Sequence, residues 1–171
     1  AGLIQPIVVR PVESDDGRPR YELIAGERRL RAFRSLGRSR IPAIVRQVST
    51  QESALLALIE NIQRDDLNAA ERAFGLRSIG EDFGLNHQQI ADAVGLDRVT
   101  VTNLIRITEL DGRSLDLVRH GKLSAGHARA LLGIKDVATR SLLADTAIME
   151  EWSVRTLERE VQRSSDRAES K

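Results

Sequence analysis

Gly26-Glu27-Arg28-Arg29 places a glycine, a carboxylate and two guanidinium groups in four consecutive residues. Glycine lets a ligand approach the backbone, the free amides of a helix start attract anions, and adjacent arginines supply forked donors for phosphate oxygens. Further along, Glu60-Asn61 sets a carboxylate beside a carboxamide, and Arg64 follows. Such a pair can supply part of the shell of a magnesium ion whose other ligands are phosphate oxygens, and Arg64 can reach the same phosphates. Each cluster alone also fits an ordinary capped and solvated helix end. Taken together they describe a triphosphate–magnesium site, with Glu27 and Glu60 as the acids that could hold metal or orient water. No Gly-x-x-x-x-Gly-Lys-Ser/Thr stretch exists, which excludes a P-loop enzyme.

A second chemistry lies between Gln88 and Arg106. Ile90, Ala91 and Val94 form one inner face, Gly95 a turn, and Val101, Leu104 and Ile105 the next inner face. Ala91 is small where two helices cross closely, and Gly95 can take positive φ without cost. This spacing predicts a helix-turn-helix, with a plain helical hairpin as the alternative. Its second helix would then present Arg98, Thr100, Thr102, Asn103 and Arg106 to a major groove, while Gln88 and Gln89 on the first helix meet backbone phosphate. A third helix start adds Lys122, Ser124, Gly126, His127 and Arg129, where Ser124 caps and the amides could hold another phosphate. His127 fits an ordinary surface histidine equally well.

The elements that must position these residues divide into two kinds. Residues 7–10 and 21–25 are short β-branched runs, separated by a polar stretch containing Asp15-Asp16-Gly17. A helix is predicted over 27–36, closed by Gly37, and a third strand over 43–48. Everything later reads as helix, over 50–63, 69–83, 87–94, 98–108, 112–119, 124–132, 136–149 and 153–163. The expected fold class is α+β, a small N-terminal α/β nucleotide-binding domain (1–66) followed by an all-helical helix-turn-helix DNA-binding domain (67–163). Residues 164–171 read as a frayed polar tail.

The 171-residue chain is 41% apolar but only 3% aromatic, so its core must be built from Leu, Ile, Val and Ala. It has no cysteine, which excludes disulfides, thiolate zinc sites and a thiol nucleophile. No apolar run approaches bilayer length and no signal peptide is visible, so a soluble intracellular protein is expected. The first residue is Ala1, which reads as a fragment of a longer chain. Net charge is only +1, yet it is unevenly spread: +5 over residues 10–46, −6 over 47–97 and +4 over 98–135. Two basic regions flank an acidic one, as two anionic ligands or one long one would favour, although solvated helix faces produce the same pattern.

In this order the segments resemble the ParB family of bacterial chromosome- and plasmid-partitioning proteins. The likeness is carried by Gly2 to Arg10, Leu23 to Ala32, Ile59 to Asn68, the helix-turn-helix, Gly121 to Leu132 and Ser153-Val154-Arg155. The resemblance implies a clamp that binds CTP with Mg²⁺ and a palindromic parS DNA site, closes two subunits together, slides, and resets by slow CTP hydrolysis. It places Gly2, Gln5 and Pro6 at the cytosine side and Gly26, Glu27, Arg28 and Arg29 around the triphosphate. Metal and phosphate then fall to Glu60, Asn61 and Arg64. A ParA-type ATPase partner, self-association of N-terminal domains and a nucleoid-associated, cytoplasmic location follow from it, with no membrane role. The chain departs from the family in three ways. The Asn-Pro-x-Gln-Pro-Arg opening and the C-terminal dimerisation domain are absent, implying a weakly associated chain without ligand; Ala69 replaces a common proline; and Asp97 stands where serine is usual. The alternative reading is a nucleoid-occlusion or transcriptional regulator of the same fold. A small kinase or sulfiredoxin-like role for the α/β part is a third, and without cysteine the sulfiredoxin chemistry itself is excluded.

Overall fold

The computed structural model describes residues 5–13, 19–64 and 66–169, with side chains as far as Asp166. The chain divides into two compact units between Gln63 and Arg64.

The first unit holds β1 (Ile7–Val12), β2 (Arg20–Ala25), α1 (Glu27–Ser35), β3 (Ala43–Val45) and α2 (Thr50–Ile62). The sheet order is β2-β1-β3, with β1 antiparallel to β2 and parallel to β3. Ile7, Val9 and Ile24 are buried together with Ile62 of α2, so the alternation of β1 supplies one apolar face. Residues 43–48 read as one strand, but only Ala43–Val45 pairs with β1. The next residue, Arg46, still donates its amide to the Val9 carbonyl at 2.8 Å. Ser49 then caps α2 in a reciprocal box with Glu52, so 46–48 serve as connection. Arg10 clasps the unit, donating to Glu22 on β2 and, at 2.9 Å, to the Thr50 hydroxyl at the start of α2.

The second unit is helical: α3 (Ala69–Phe83), α4 (His87–Val94), α5 (Arg98–Arg106), a single 3₁₀ turn (Ile107–Glu109), α6 (Gly112–Arg119), α7 (Ala125–Leu131), α8 (Val137–Met149) and α9 (Val154–Glu169). The expected helix 98–108 tightens into the 3₁₀ turn after Arg106. Asn68, Asn86, Asp97, Asp111, Ser124 and Asp136 each cap a helix with a side-chain oxygen. Leu76, Ile79, Ile90, Ile107, Leu131, Leu157, Val101 and Val118 are the large apolar side chains buried outright. α9 continues past residue 163 to Glu169, supported by Gln162–Asp166 at 2.8 Å and by Ser165 bonding back to the Val161 carbonyl. A buried polar cluster joins α6 to α8: Arg140 donates to the Ile134 carbonyl and faces Asp111 at 3.6 Å. α7 and α9 approach closely at two glycines. A Cβ on Gly126 would meet Val154 at 3.0 Å, and one on Gly133 would meet Val161 at 3.1 Å. Among the described residues no helix is long and apolar enough to cross a membrane.

Candidate nucleotide and nucleic-acid sites

Gly26 sits at the junction of β2 and α1 with φ +103, in the left-handed region that glycine enters freely. A Cβ there would lie 2.9 Å from the Ile7 side chain and 3.3 Å from the Arg29 guanidinium. As helix N-cap it provides no side-chain oxygen, so the first amides of α1 are left uncapped. Beside this bare start, Arg28 is exposed, and its side chain forms no hydrogen bond or ion pair with any described residue. Arg29 is engaged: it donates to the Gln5 carbonyl at 2.7 Å and also to that of Pro6. It therefore ties the chain before β1 to the start of α1. Glu27 pairs with Arg31 one turn on, at 2.8 Å. Gly2 lies outside the described residues.

Glu60 and Asn61 are exposed on the last turn of α2, and neither forms a side-chain hydrogen bond or ion pair with any described residue. α1 packs beside β1 and α2 beside β2, so the two clusters are carried by different helices packed on one small sheet. Among the described residues no group of three His, Asp or Glu side chains is arranged to hold a metal. Arg64 opens the second unit and forms a two-point pair with Asp66, at 3.0 and 2.7 Å. That pairing, a hydrogen bond first and charge second, raises its pKa above the ordinary guanidinium value.

In the second unit, Ala91 is fully buried where α4 meets α5, and Gly95 takes φ +75 at the turn. Val101 closes the second helix onto the first. Arg98 and Arg106 are exposed, and Arg106 lies 4.0 Å from Glu109. Thr100, Thr102 and Asn103 are half-buried. Thr102 faces His87 of α4, 2.9 Å from its Nδ1, so its hydroxyl is occupied within the protein. Gln89 closes the capping box with Asn86, and Gln88 bonds Asp92 at 2.9 Å. Asp97 caps α5, accepting the Thr100 amide at 2.8 Å and the Thr100 hydroxyl at 2.6 Å. The hydroxyl bond first, and then the amide bond, hold the Asp97 carboxyl below its ordinary range.

A groove between α5 and α7 is lined by Thr100, Asn103, Leu104, Gly126 and Arg129. Arg129 reaches Glu158 of α9 at 3.4 Å, and Lys122 is exposed just before α7. His127 is built in rather than displayed. Its Nδ1 lies 2.8 Å from the Ser124 hydroxyl and its Nε2 3.0 Å from the Trp152 carbonyl. Sequence reasoning missed this clamp, the Asn86 cap and the Arg10 clasp. Only Asn86 left a local signal, in its spacing from Gln89.

Residues 1–62 match the ParB N-terminal domain family and residues 65–166 the ParB HTH domain family. A probable chromosome-partitioning protein ParB from Pseudomonas putida is 51% identical over 135 residues, covering 79% of this chain and 45% of that protein. The chain therefore spans about half the length of the curated relatives it matches. The crystal structure of C-terminally truncated ParB from Caulobacter crescentus, complexed to the centromeric parS site, superposes with a TM-score of 0.83 at 35% identity. That superposition covers 94% of this chain and 83% of the other. A parS-bound ParB DNA-binding domain covers 64% of this chain and 76% of its own, with a TM-score of 0.58 at 33% identity. With both halves matched in order, and the fold matched along nearly its whole length, the chain belongs to the ParB family.

Proposed function

We propose that this chain is the nucleotide- and DNA-binding part of a CTP-switched clamp that loads at a parS-type palindrome to partition a chromosome or plasmid. Residues 1–66 act as the CTP-binding domain and residues 67–163 as the DNA-binding domain. The observation that carries the nucleotide half is the uncapped, glycine-fronted start of α1 beside Arg28, whose side chain has no partner among the described residues. A triphosphate has the negative charge such a start favours, and Gly26 lets Ile7 and Arg29 pack against that start. Gln5 and Pro6, tied to Arg29, would border the base, together with Gly2. The exposed, unpartnered Glu60 and Asn61 fit a Mg²⁺ ion that takes most of its shell from phosphate oxygens and water. Bound there, the ion would neutralise phosphate charge. Glu27 would orient water or the γ-phosphate, making slow hydrolysis the reset of the clamp. Arg64 would reach phosphate by leaving Asp66.

The DNA half is supported by the buried Ala91–Gly95–Val101 turn and by the parS complexes of the similar proteins. Arg98, Asn103 and Arg106 would read or steer on α5, and Lys122, Gly126 and Arg129 would border the same duplex. Ser124 and His127 would hold the α7 start in place. Self-association of two N-terminal units on CTP binding, contact with a ParA-type ATPase through the longer protein, and residence on the nucleoid complete the reading. Titrating the chain with each of the four nucleoside triphosphates, with and without a parS duplex, tests it. Selective CTP binding that DNA strengthens is expected; equal affinity for all four overturns it.

A further inference from the structure

We infer that Thr100 reads a base edge purely as a hydrogen-bond acceptor, and that Asp97 makes it one. The inference rests on α5 being the DNA-reading helix. A hydroxyl has one proton to give and two lone pairs with which to accept. Thr100 gives its proton to Asp97 Oδ2 over 2.6 Å, the length of a bond strengthened by the acceptor's charge. The direction follows from chemistry, since an ionised carboxylate has nothing to donate. The Thr100 amide fixes the other oxygen at 2.8 Å, so the carboxylate cannot turn away without uncapping α5. Those two bonds also favour the ionised carboxyl at neutral pH.

Thr100 Oγ1 is left with lone pairs alone. It lines the α5–α7 groove with Asn103 and Arg129, and neither of them bonds to it. DNA phosphates offer only acceptors, so this oxygen cannot bond them, and the carboxylate behind it repels them. In the major groove the donors are the amino groups of cytosine N4 and adenine N6. Thr100 therefore selects an amino-bearing base at one position of each half-site, while phosphate contact falls to the arginines.

The test compares the parent chain with Thr100→Val, Thr100→Ser and Asp97→Asn. Each is measured on parS duplexes substituted one base pair at a time and on a random duplex. Valine keeps the branched shape and the amide cap but removes the acceptor; serine keeps it. Asparagine still caps through its carbonyl, yet its amide donates to Thr100 and turns the hydroxyl proton outward. The parent and Thr100→Ser should favour adenine or cytosine at one position by about three- to tenfold, the worth of one neutral hydrogen bond. Thr100→Val should lose the preference at that position alone, and Asp97→Asn should shift it towards guanine or thymine. An equal loss by Thr100→Val on every duplex overturns the inference, as does an Asp97→Asn profile identical to the parent. A sharp parent preference that Thr100→Val leaves intact refutes the Thr100 role alone. A parent with no sequence preference removes the reading of α5, and this inference with it.

Discussion

Two neighbouring arginines have been given different work. Arg28 is exposed and has no side-chain partner among the described residues, whereas Arg29 already holds the Gln5 and Pro6 carbonyls. Arg28→Ala should remove one charge-assisted phosphate contact, worth about 1.5–3 kcal/mol. Arg29→Ala should abolish CTP binding, because the contact and the placement of the Gln5–Pro6 chain go together. Calorimetric titration checks both, with an unchanged melting curve showing that the fold survives. Unaltered CTP affinity in Arg29→Ala removes the pocket as drawn. Glu60→Gln and Glu27→Ala should still bind CTP, since arginines and backbone amides carry the phosphates, yet release little phosphate. Turnover at the parent rate in both variants, at saturating CTP and parS DNA, would leave these acids as mere helix-surface charges.

Caps determine how the helices answer to acid. Asp97 and Asp136 each accept a threonine hydroxyl and amide, and those bonds, the hydroxyl first, keep both carboxyls below their ordinary value. A carboxyl depressed in the folded state adds stability above its unfolded pKa and loses it as pH falls through the folded one. The helical unit should therefore lose melting temperature as pH drops below about 4, and Asp97→Asn with Asp136→Asn should flatten that decline. A parent slope in the double variant refutes the assignment. Asn103→Ala, in the α5–α7 groove, should weaken parS binding by about 1–3 kcal/mol while sparing random duplex; equal loss on both makes Asn103 a phosphate or structural contact. The same caps explain what the sequence made legible. Ser49 with Glu52, Gly95 between two apolar faces, and Gly26 before Glu27 are local signals, and local signals survive in one dimension. Arg10 reaching Thr50, His127 reaching Trp152 and Arg140 reaching Asp111 join residues far apart in sequence, so nothing in their neighbours announced them. β3 came out shorter than the expected 43–48 because the Ser49 cap takes the chain away from the sheet after Arg46.

At the scale of the molecule, the positive balance of 98–135 and the apolar interior of the second unit act together. The charge predicts a salt-dependent term on any duplex, checked as the slope of log affinity against log salt. Leu157→Ala removes a fully buried side chain and should cost about 2–5 kcal/mol in denaturant unfolding. Leu157 lies in one apolar cluster with Ala128 and Leu131 of α7. α7 has only seven residues, too few to persist as a helix in isolation. It lies against α9 through Gly126 on Val154 and Gly133 on Val161, matched seven residues apart on both sides. On a ribosome, the turn around Gly95 could therefore be made long before the wall that Gly126 and Arg129 give the groove. That wall waits for Val161 to emerge, so the α5–α7 groove is completed only once α9 has formed.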